Sequence, residues 1–500
     1  MAELKAFRDP TEPALLANYK RGASFCELMG DGADERPRLL QFWRRLEQLR
    51  SSELSERAAD ALTELHERGV TFTVYTEKDE IDRALPFDVI PRVLPASEWE
   101  TLEKGVVQRV AAINAFLWDV YHDQKILKDG IVPRELVLGN ENFRKEMIGV
   151  DVPNGTYAHI CGVDLVRNAA GQFMVLEDNA RTPSGVSYVV ENRHLMQRAF
   201  PDLLQGFNVR EVSSYGQNLR DKLLECAPAA CDDPKLVLLS PGVFNSAYYE
   251  HIFLAREMGV PLVEGRDLVV IDDRVFAKTV AGLSPVDVIY RRIDDNFLDP
   301  KVFNPDSMLG VPGLVDCMRA GTVTIANAPG AGVADDKAIY AYMPRIIDYY
   351  LSEEAILPNV ETHICREPEA LQYTLDHLDE LVVKPVGESG GYGIVVGPRA
   401  TTEELEDVRK ALKEDPANYI AQPMIQLSVC PTVTEEGVAP RHVDLRPFAV
   451  TGRDTWVLPG GLTRVALKKG SIIVNSSQGG GTKDTWVLEP GQSGDGVAGA

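Results

Sequence analysis

The hydrophobic positions of the chain change their period from one region to the next. Residues 1–130 carry a mainly helical pattern, clearest in the stretch ASEWETLEKGVVQRVAAINAFLWDVYHD. Ser97 and Glu100 fit a capping box at the start of this stretch. Its apolar residues then recur at helical spacing, which predicts a long helix with one face in the core. That stripe consists of Trp99, Leu102, Val106, Val110, Ile113 and Leu117.

Strand-like patterns begin after the helical region. Residues 155–180 predict a β-hairpin, TYAHICGVDLVR and FMVLED, with a turn around NAAGQ. Residues 235–330 alternate strands and helices in the rhythm of a parallel α/β sheet, with KLVLLSPG, VPLVEG, DLVVID and VDVIYRR as strands. Another α/β segment leads from DDKAIYAYMPRIIDYYL to NYIAQPMIQ, and the last hundred residues read mostly as β-structure. The terminal GQSGDGVAGA predicts a disordered tail.

Composition narrows the class of protein. A chain of 500 residues predicts two to four domains, and 44% hydrophobic with 25% charged residues is typical of a soluble globular protein. The net charge of −23 argues against a nucleic-acid partner, which needs a clustered basic surface. The seven cysteines contain no CxxC pair, which disfavours a disulfide framework or a zinc site. Without a signal-peptide pattern or a membrane-length apolar run, we expect a cytoplasmic protein with no membrane partner.

The predicted hairpin carries a candidate metal site. If Ala170 and Gly171 form a two-residue turn, Asp164 lies directly opposite Glu177. Two like charges in that position destabilise a sheet unless a positive charge lies between them. Asn179 shares a strand face with Glu177, so the set offers three oxygen ligands suited to Mg²⁺. The alternative is an exposed hairpin edge with solvated acids.

The stretch LVVKPVGESGGYGIVVG is a candidate anion site. An apolar strand brings Lys384 to a loop rich in glycine, whose backbone N–H groups can surround a phosphate. A P-loop is excluded because no GK[ST] follows and a strand comes next. The alternative is an ordinary glycine-rich hairpin.

The same loop also contains the G-x-S-x-G pattern of serine hydrolases around Ser389. That pattern requires a helix directly after the serine, whereas residues 392–396 read as a strand. His442 and Asp444 follow, but two residues apart they share one strand face, an unusual arrangement for an orienting pair. A hydrolase is therefore the disfavoured alternative.

A third stretch, NAPGAGVADDKAIYAYMP, predicts a helix start. Asp335 and Asp336 favour the positive end of a helix, so plain capping explains them. A lysine in the first turn is less expected there, and Lys337 therefore suggests an anion at this position.

Together these stretches resemble the circularly permuted ATP-grasp type 2 family, a glutathionylspermidine-synthetase-like group. The shared features are a lysine after DD, a VVKP lysine with a glycine loop, the hinge-like NYIAQPM and an E-x-N motif after a hairpin. In most ATP-grasp proteins the lysines precede the acid and E-x-N section, whereas here they follow it, as in a circular permutation. The similarity covers nearly the whole chain, including GVDLVR, NSAYYEHIFLAREMGV, VIYRRIDDNFLDP, VDLRPF, PGGLTRVALKKGS and VNSSQGGGTKDTWVL.

The resemblance implies an α/β (α+β) fold: a circularly permuted ATP-grasp fold with a pre-ATP-grasp Rossmann-like domain and a helical N-terminal region. The implied segments are a helical region at 1–130, the metal-binding part of the ATP-grasp fold at 131–205, a pre-ATP-grasp α/β domain at 206–330, the nucleotide-binding part at 331–488 and a disordered tail at 489–500.

The resemblance also implies an activity. It predicts a ligase that uses ATP and Mg²⁺ to form an acylphosphate from a carboxylate, which an amine or a thiol then attacks. The expected partners are a small-molecule or peptide substrate with a carboxylate and an amine acceptor, together with further copies of the chain in a homo-oligomer. The alternative outside catalysis is a nucleotide-binding regulatory or scaffold protein without turnover.

Residue roles follow from the family match. The implied metal ligands are Asp164, Glu177 and Asn179. The implied catalytic residues are Lys337, Lys384 and Arg464. The implied ATP-binding residues are Lys337, Lys384, Ser389, Gly390, Gly391, Gln422, Pro423, Met424 and Arg446.

The arginines are the least determined part of the site. Many ATP-grasp ligases carry an arginine two residues before the hairpin aspartate, where this chain has Gly162. Arg464 is the first candidate to replace it, with Arg446 and Arg181 as alternatives. Arg291 and Arg292 end a predicted strand, where α/β sheets place ligands, although both could simply pair with nearby acids. The implied substrate-binding residues are Arg181, Ser184, Arg193, Arg291 and Arg292.

Overall fold

The structure is a computed structural model that describes residues 15–31, 38–67, 69, 71–75, 80–84, 86–229, 231–387, 393–471, 474 and 479–490. The helices are α1 Leu40–Leu46, α2 Ser51–Glu67, α3 Ala96–Tyr121, α4 Lys125–Lys128, α5 Arg134–Leu138, α6 Val186–Ala199, α7 Pro201–Leu204, α8 Tyr215–Leu224, α9 Tyr248–Met258, α10 Asp295–Leu298, α11 Leu314–Arg319, α12 Lys337–Ala341, α13 Met343–Leu351, α14 Pro368–Asp376 and α15 Thr402–Glu414.

The strands form several separate sheets. They are β1 Thr71–Tyr75, β2 Glu80–Ala84, β3 Phe87–Leu94, β4 Ile160–Arg167, β5 Phe173–Asn179, β6 Leu236–Leu239, β7 Leu262–Val263, β8 Leu268–Ile271, β9 Arg274–Thr279, β10 Gly282–Val286, β11 Val288–Arg291, β12 Thr324–Ala326, β13 His363–Ile364, β14 Leu381–Pro385, β15 Val395–Val396, β16 Tyr419–Pro423, β17 Val429–Thr434, β18 Gly437–His442, β19 Phe448–Thr451, β20 Thr455–Val457, β21 Thr463–Val465 and β22 Gly481–Val487.

The long helix α3 lies where the sequence predicts it. Every member of its apolar stripe is buried, which confirms the core face. The predicted capping box is wrong, because the helix begins two residues earlier than Ser97 as N-cap would require, with Pro95 as N-cap and no side-chain cap. The N-terminal region also contains strands β1, β2 and β3, so it is less purely helical than predicted. β3 pairs in parallel with β22, which brings a strand of the N-terminal region and the last described strand into one sheet.

The predicted hairpin is β4–β5, at the edge of the antiparallel sheet β20-β19-β4-β5. Its loop differs from the prediction, because Arg167 pairs with Phe173 and the connection is longer than two residues. A register shift between Asp164 and Leu165 compensates for this difference. As a result Asp164 does pair with Glu177, as the sequence predicts.

The α/β rhythm corresponds to the sheet β12-β11-β6-β7, whose neighbouring strands are all parallel. One predicted member is absent from it: DLVVID forms β8 in the antiparallel sheet β10-β9-β8. Strand spacing alone could not distinguish these two sheets, because β8 is also a short apolar run.

The predicted glycine-loop strand is β14, in the sheet β13-β16-β14-β15. β14 pairs antiparallel with both β15 and β16, which places Lys384 beside the hinge strand. Among the described residues after 400, strands predominate, as predicted, although α15 also lies there. The mixed α/β class is confirmed, whereas the segment boundaries stay predictions.

Candidate functional site

Alternate residues of β5 face opposite sides of the hairpin. Glu177 lies across from Asp164, whose carboxylate is almost fully buried. Asp178 points the other way and forms a buried bidentate ion pair with Arg109 from α3, at 2.6 and 2.8 Å. The two acidic neighbours therefore contribute to different environments.

Two arginines neutralise Asp164. The Nη2 atom of Arg446 donates to its Oδ2 atom at 2.7 Å, and the Nε atom of Arg446 donates to Oδ1. Arg464 donates from Nη2 to Oδ2 at 2.6 Å. The Nη2 atom of Arg446 also lies 3.9 Å from the Glu177 carboxylate. These guanidinium groups supply the positive charge that two opposed carboxylates require.

Gly162 leaves the space that Arg446 occupies. A Cβ atom at this glycine would lie 3.2 Å from Cδ of Arg446 and 3.3 Å from Cβ of Pro183. The guanidinium of Arg446 then reaches Asp164, two residues further along β4 and on the same face. Arg446, an alternative at the level of sequence, is thus the arginine packed directly over Gly162.

Asp444 holds the second arginine. Its carboxylate accepts hydrogen bonds from Nε of Arg464 at 2.9 Å and from Nη2 at 2.5 Å, and it is nearly fully buried. Sequence reasoning missed this role and considered Asp444 only as part of a hydrolase. The available signal was the spacing of Asp444 and Arg446 in VDLRPF, which puts two charged residues on one side of an extended segment.

Both candidate lysines belong to the same electrostatic cluster. Lys337 and Lys384 are buried, and both interact electrostatically with Glu177. Burial, with a smaller contribution from Lys337, lowers the pKa of Lys384 to about 8 although Glu177 opposes the shift. Partial burial and the charge of Asp164 raise the pKa of Glu177. Burial opposes ionisation of Asp164 too, but Arg446 and Arg464 outweigh it and hold the pKa of that carboxyl well below its usual value.

The two aspartates before Lys337 accept hydrogen bonds from different parts of the backbone. Asp336 caps α12, as predicted, by accepting hydrogen bonds from the backbone N–H groups of Ala338 and Ile339 at 2.7 and 3.2 Å. Asp335 instead reaches back to the end of β5, where it accepts from the backbone N–H groups of Ala180 and Arg181. The segment that carries Lys337 is therefore fastened to the hairpin.

The sharp turn after β5 is fixed from the α/β sheet. Arg292 donates to the carbonyl of Pro183 at 2.7 Å and to Oγ of Ser184 at 2.5 Å. Glu250 accepts from the backbone N–H of Gly185 at 2.7 Å and also pairs with Arg292. The carbonyl of Ser184 accepts from Arg446 at 3.3 Å. Ser184 thus contacts both the α/β sheet and the charged hairpin.

The remaining substrate-binding candidates have protein partners. Arg193 donates to Asp484 and to the carbonyls of Arg210 and Thr485, each at 2.8 Å. These contacts join helix α6 to strand β22 and to the segment at Arg210. The substrate-binding role of Arg193 stays a prediction.

Arg291 and Arg181 both form ion pairs but differ in burial. Arg291 is fully buried and pairs with Asp295, as the structural alternative expected, and it also donates to the Asn327 carbonyl at 2.7 Å. Arg181 is partly exposed and pairs with Asp294 at 3.0 Å. Of these two arginines, Arg181 is the one that a solute can reach.

The candidate adenine hinge is strand β16. Gln422 is buried and donates from Nε2 to Oγ1 of Thr362 at 2.9 Å, while Pro423 is half-buried and Met424 exposed. Ser389, Gly390 and Gly391 lie outside the described residues, so their predicted ATP contacts stay predictions.

The geometry disfavours a serine hydrolase. Asp444 is engaged by Arg464, while Nδ1 of His442 faces the carbonyl of Leu427 at 2.9 Å. The element after the loop is the short strand β15, which runs into a 3₁₀ turn and not into an α-helix. Within the described residues, His442 and Asp444 are therefore bound to other partners, and the first element after the loop is a strand.

The hairpin donors are of the type that Mg²⁺ prefers. Asn179 uses Nδ2 to donate to the Gly162 carbonyl at 3.3 Å, which leaves Oδ1 as its acceptor for a cation. Together with the Glu177 carboxylate this offers hard oxygen ligands. Within the described ranges, no three His, Cys, Asp or Glu side chains are grouped as a metal site, so the trio depends on the amide of Asn179. The residues fit Mg²⁺, whose binding stays a prediction.

A four-stranded parallel sheet, an acidic hairpin and two lysine-bearing segments are consistent with an ATP-grasp-type fold. The sequence profile of the circularly permuted ATP-grasp type 2 family matches residues 91–466. The chain belongs to this family, which confirms the prediction from its motifs.

Relatives and a solved structure agree with this assignment. The chain is 50% identical over 475 residues to an uncharacterized protein of Synechocystis sp., covering 95% of this chain and 99% of that protein. It is 41% identical over 482 residues to a candidate glutamate–cysteine ligase 2-3 of Frankia alni, covering 96% of this chain and 55% of that protein. A glutathione synthetase like-effector from Globodera pallida shares the fold, with a TM-score of 0.54, 12% identity, and coverage of 87% of this chain and 96% of that one.

No helix among the described residues is long and apolar enough to cross a membrane. The cytoplasmic location, the absence of a nucleic-acid partner and the homo-oligomer stay predictions.

Proposed function

We propose that this protein is an ATP- and Mg²⁺-dependent ligase that joins a carboxylate to an amine or a thiol through an acylphosphate. The observation that carries this proposal is the convergence of four cationic side chains on the carboxylates of one hairpin. Those side chains are Lys337, Lys384, Arg446 and Arg464. Phosphoryl transfer depends mainly on positioning and on neutralising phosphate charge, and this cluster suits both tasks.

The proposed reaction has two steps. A substrate carboxylate oxygen attacks the γ-phosphorus of ATP, and the bond to ADP breaks. The amine then attacks the acyl carbon, phosphate leaves, and the amine loses a proton. Lys337, Lys384 and the two arginines would hold the phosphates. Asp164, Glu177 and Asn179 would hold Mg²⁺, which would neutralise phosphate charge.

The turn after β5 is the proposed meeting point of phosphate and substrate. Ser184 contacts Arg446 on the phosphate side and Arg292 on the α/β side. Arg181 lies on the same turn and is partly exposed, which makes it the best-placed of the predicted arginines to meet a substrate carboxylate. Ligands of open α/β sheets bind at the carboxyl ends of the strands, where Arg292 lies.

The substrates can be sought by a screen for ADP release with Mg-ATP against amino acids, short peptides and polyamines. Glutamate with cysteine is the first pair to test, because the Frankia alni relative carries that name. ADP release should require both a carboxylate and an amine. Nucleotide binding without turnover across the whole panel would instead support the scaffold alternative.

The hydrolase alternative has its own test. Ser389→Ala should leave a ligase partly active, because the loop serine is proposed to contact phosphate and to form no covalent intermediate. A hydrolase would lose essentially all activity. Hydrolysis of a p-nitrophenyl ester, measured beside ADP release, distinguishes the two.

A further inference from the structure

Asp164 is saturated by guanidinium groups. Three N–H donors from Arg446 and Arg464 occupy its two oxygen atoms, and the carboxylate is only 1% exposed. A cation that approached Asp164 would have to displace at least one of these donors. Charge-assisted hydrogen bonds of this kind are the strong ones.

Other protein groups also restrict the side chains of Arg446 and Arg464. Asp444 fixes Arg464 through Nε and Nη2. Arg446 is confined between Gly162, Pro183 and the Ser184 carbonyl. Thermal motion of a flexible side chain therefore does not uncover Asp164 easily.

The positive side chains of the cluster also repel a lone cation. Four of them interact electrostatically with the carboxylates, so a free divalent cation would approach like charges in a buried setting, where they repel it strongly. Four carboxylates balance these four charges, so the cluster has no excess negative charge to attract the cation. A polyphosphate that arrives with the cation offers the arginines new anionic partners. The carboxylates are Asp164, Glu177, Asp336 and Asp444, and the cations are Lys337, Lys384, Arg446 and Arg464.

We propose that the hairpin accepts a divalent cation only together with a polyphosphate, because Arg446 and Arg464 must first leave Asp164 for phosphate oxygens. The two arginines thereby act as positioning residues that keep the metal ligands closed to free cations. This inference rests on the proposed function, since it takes the nucleotide to be the polyphosphate.

The test uses Mn²⁺ and the non-hydrolysable analogue AMPPNP with the full chain. Electron paramagnetic resonance measures free Mn²⁺, and isothermal titration measures the nucleotide. AMPPNP itself chelates Mn²⁺, so a titration of AMPPNP without protein is subtracted. Wild-type protein should then bind Mn²⁺ at least tenfold more tightly with AMPPNP than without it. Arg446→Met and Arg464→Met, which keep side-chain length but remove charge, should each tighten binding of Mn²⁺ alone at least several-fold. Arg319→Met, on an exposed part of the surface, is the matched control.

The outcomes separate this inference from the proposed function. If wild-type protein binds no AMPPNP with or without Mn²⁺, the proposed function fails. If it binds AMPPNP but takes Mn²⁺ alone equally well, or if both methionine variants leave the binding of Mn²⁺ alone unchanged, the arginine inference fails and the function stands. If one variant does not fold, the other variant and the wild-type comparison still decide.

Discussion

Two buried ion pairs on opposite faces of one hairpin are built differently. On the inner face, Asp178 and Arg109 pair one to one, both are at most 1% exposed, and the third donor of Arg109 is taken by Asn359 at 2.8 Å. On the other face, Asp164 is shared between two arginines beside Glu177, whose side chain is 30% exposed. A one-to-one pair without contact to solvent is typical of structure. Two arginines that share one carboxylate beside the partly exposed Glu177 can exchange it for a phosphate that enters from solvent, and that difference distinguishes the functional face.

The largest expected effect is a loss of stability on breaking the pair of Asp178 with Arg109. Arg109→Met leaves the buried Asp178 without its partner, and breaking a buried pair costs about 3–5 kcal/mol of the free energy of unfolding. Denaturant titration followed by tryptophan fluorescence measures it. Adding Asp178→Leu should recover much of the loss. If Arg109→Met alone were as stable as wild type, this ion pair would not stabilise the fold.

The next effect tests the outer face. Glu177→Ala combined with Asn179→Ala removes two predicted metal ligands, and we expect Mg-ATP affinity to fall roughly a hundredfold or more, about 2.7 kcal/mol. Titration calorimetry measures it, with Gln172→Ala in the hairpin loop as control. Stability should hardly change, because removing Glu177 relieves its repulsion with Asp164. Unchanged affinity would refute the metal site.

A smaller effect concerns pH. Burial lowers the pKa of Lys384 to about 8, so the lysine loses its proton as pH rises through that value. Nucleotide affinity should be full near pH 7 and drop roughly tenfold by pH 9.5, since only the charged form binds phosphate well. Lys384→Arg stays charged throughout and should flatten this dependence. A wild-type affinity that is constant from pH 7 to 9.5 would exclude Lys384 as a phosphate ligand.

The same shift affects stability in the opposite direction. Between about pH 8 and the ordinary lysine pKa of 10.5, the unfolded chain binds more protons at this residue than the folded chain does. The contribution of Lys384 to the free energy of unfolding therefore rises with pH across that window. Comparing wild type with Lys384→Met at pH 7.5 and 10 isolates this contribution. The difference between the two proteins should shift in favour of wild type at the higher pH.

The smallest effect concerns Gly162. A Cβ at this position would lie 3.2 Å from Arg446, so Gly162→Ala should displace the guanidinium slightly and weaken nucleotide affinity by a few-fold. Gln172→Ala, in the hairpin loop and away from the cluster, is the comparison for a general effect of substitution in the hairpin. Equal affinities for Gly162→Ala and wild type would mean that Arg446 does not need this space.

Much of the candidate site was accessible to sequence reasoning. Strand alternation assigned Glu177 and Asn179 to one face and Asp178 to the other, and the pairing of Asp164 with Glu177 was predicted correctly. That pairing was reached through a wrong loop, because a longer connection and a register shift cancel. The capping box at Ser97 was also wrong, since local motifs describe a tendency that neighbouring residues can override.

What the sequence determined by itself is the local chemistry: the helix stripe, the acidic hairpin, the lysines and their family. Tertiary structure decided which charges meet. Arg446 and Arg464 lie 282 and 300 positions from Asp164, and Asp444 had no visible partner in the linear chain. A periodic pattern reflects the next turn or strand, whereas a buried ion pair depends on how distant strands pack, so only the folded chain shows that Arg446 lies over Gly162.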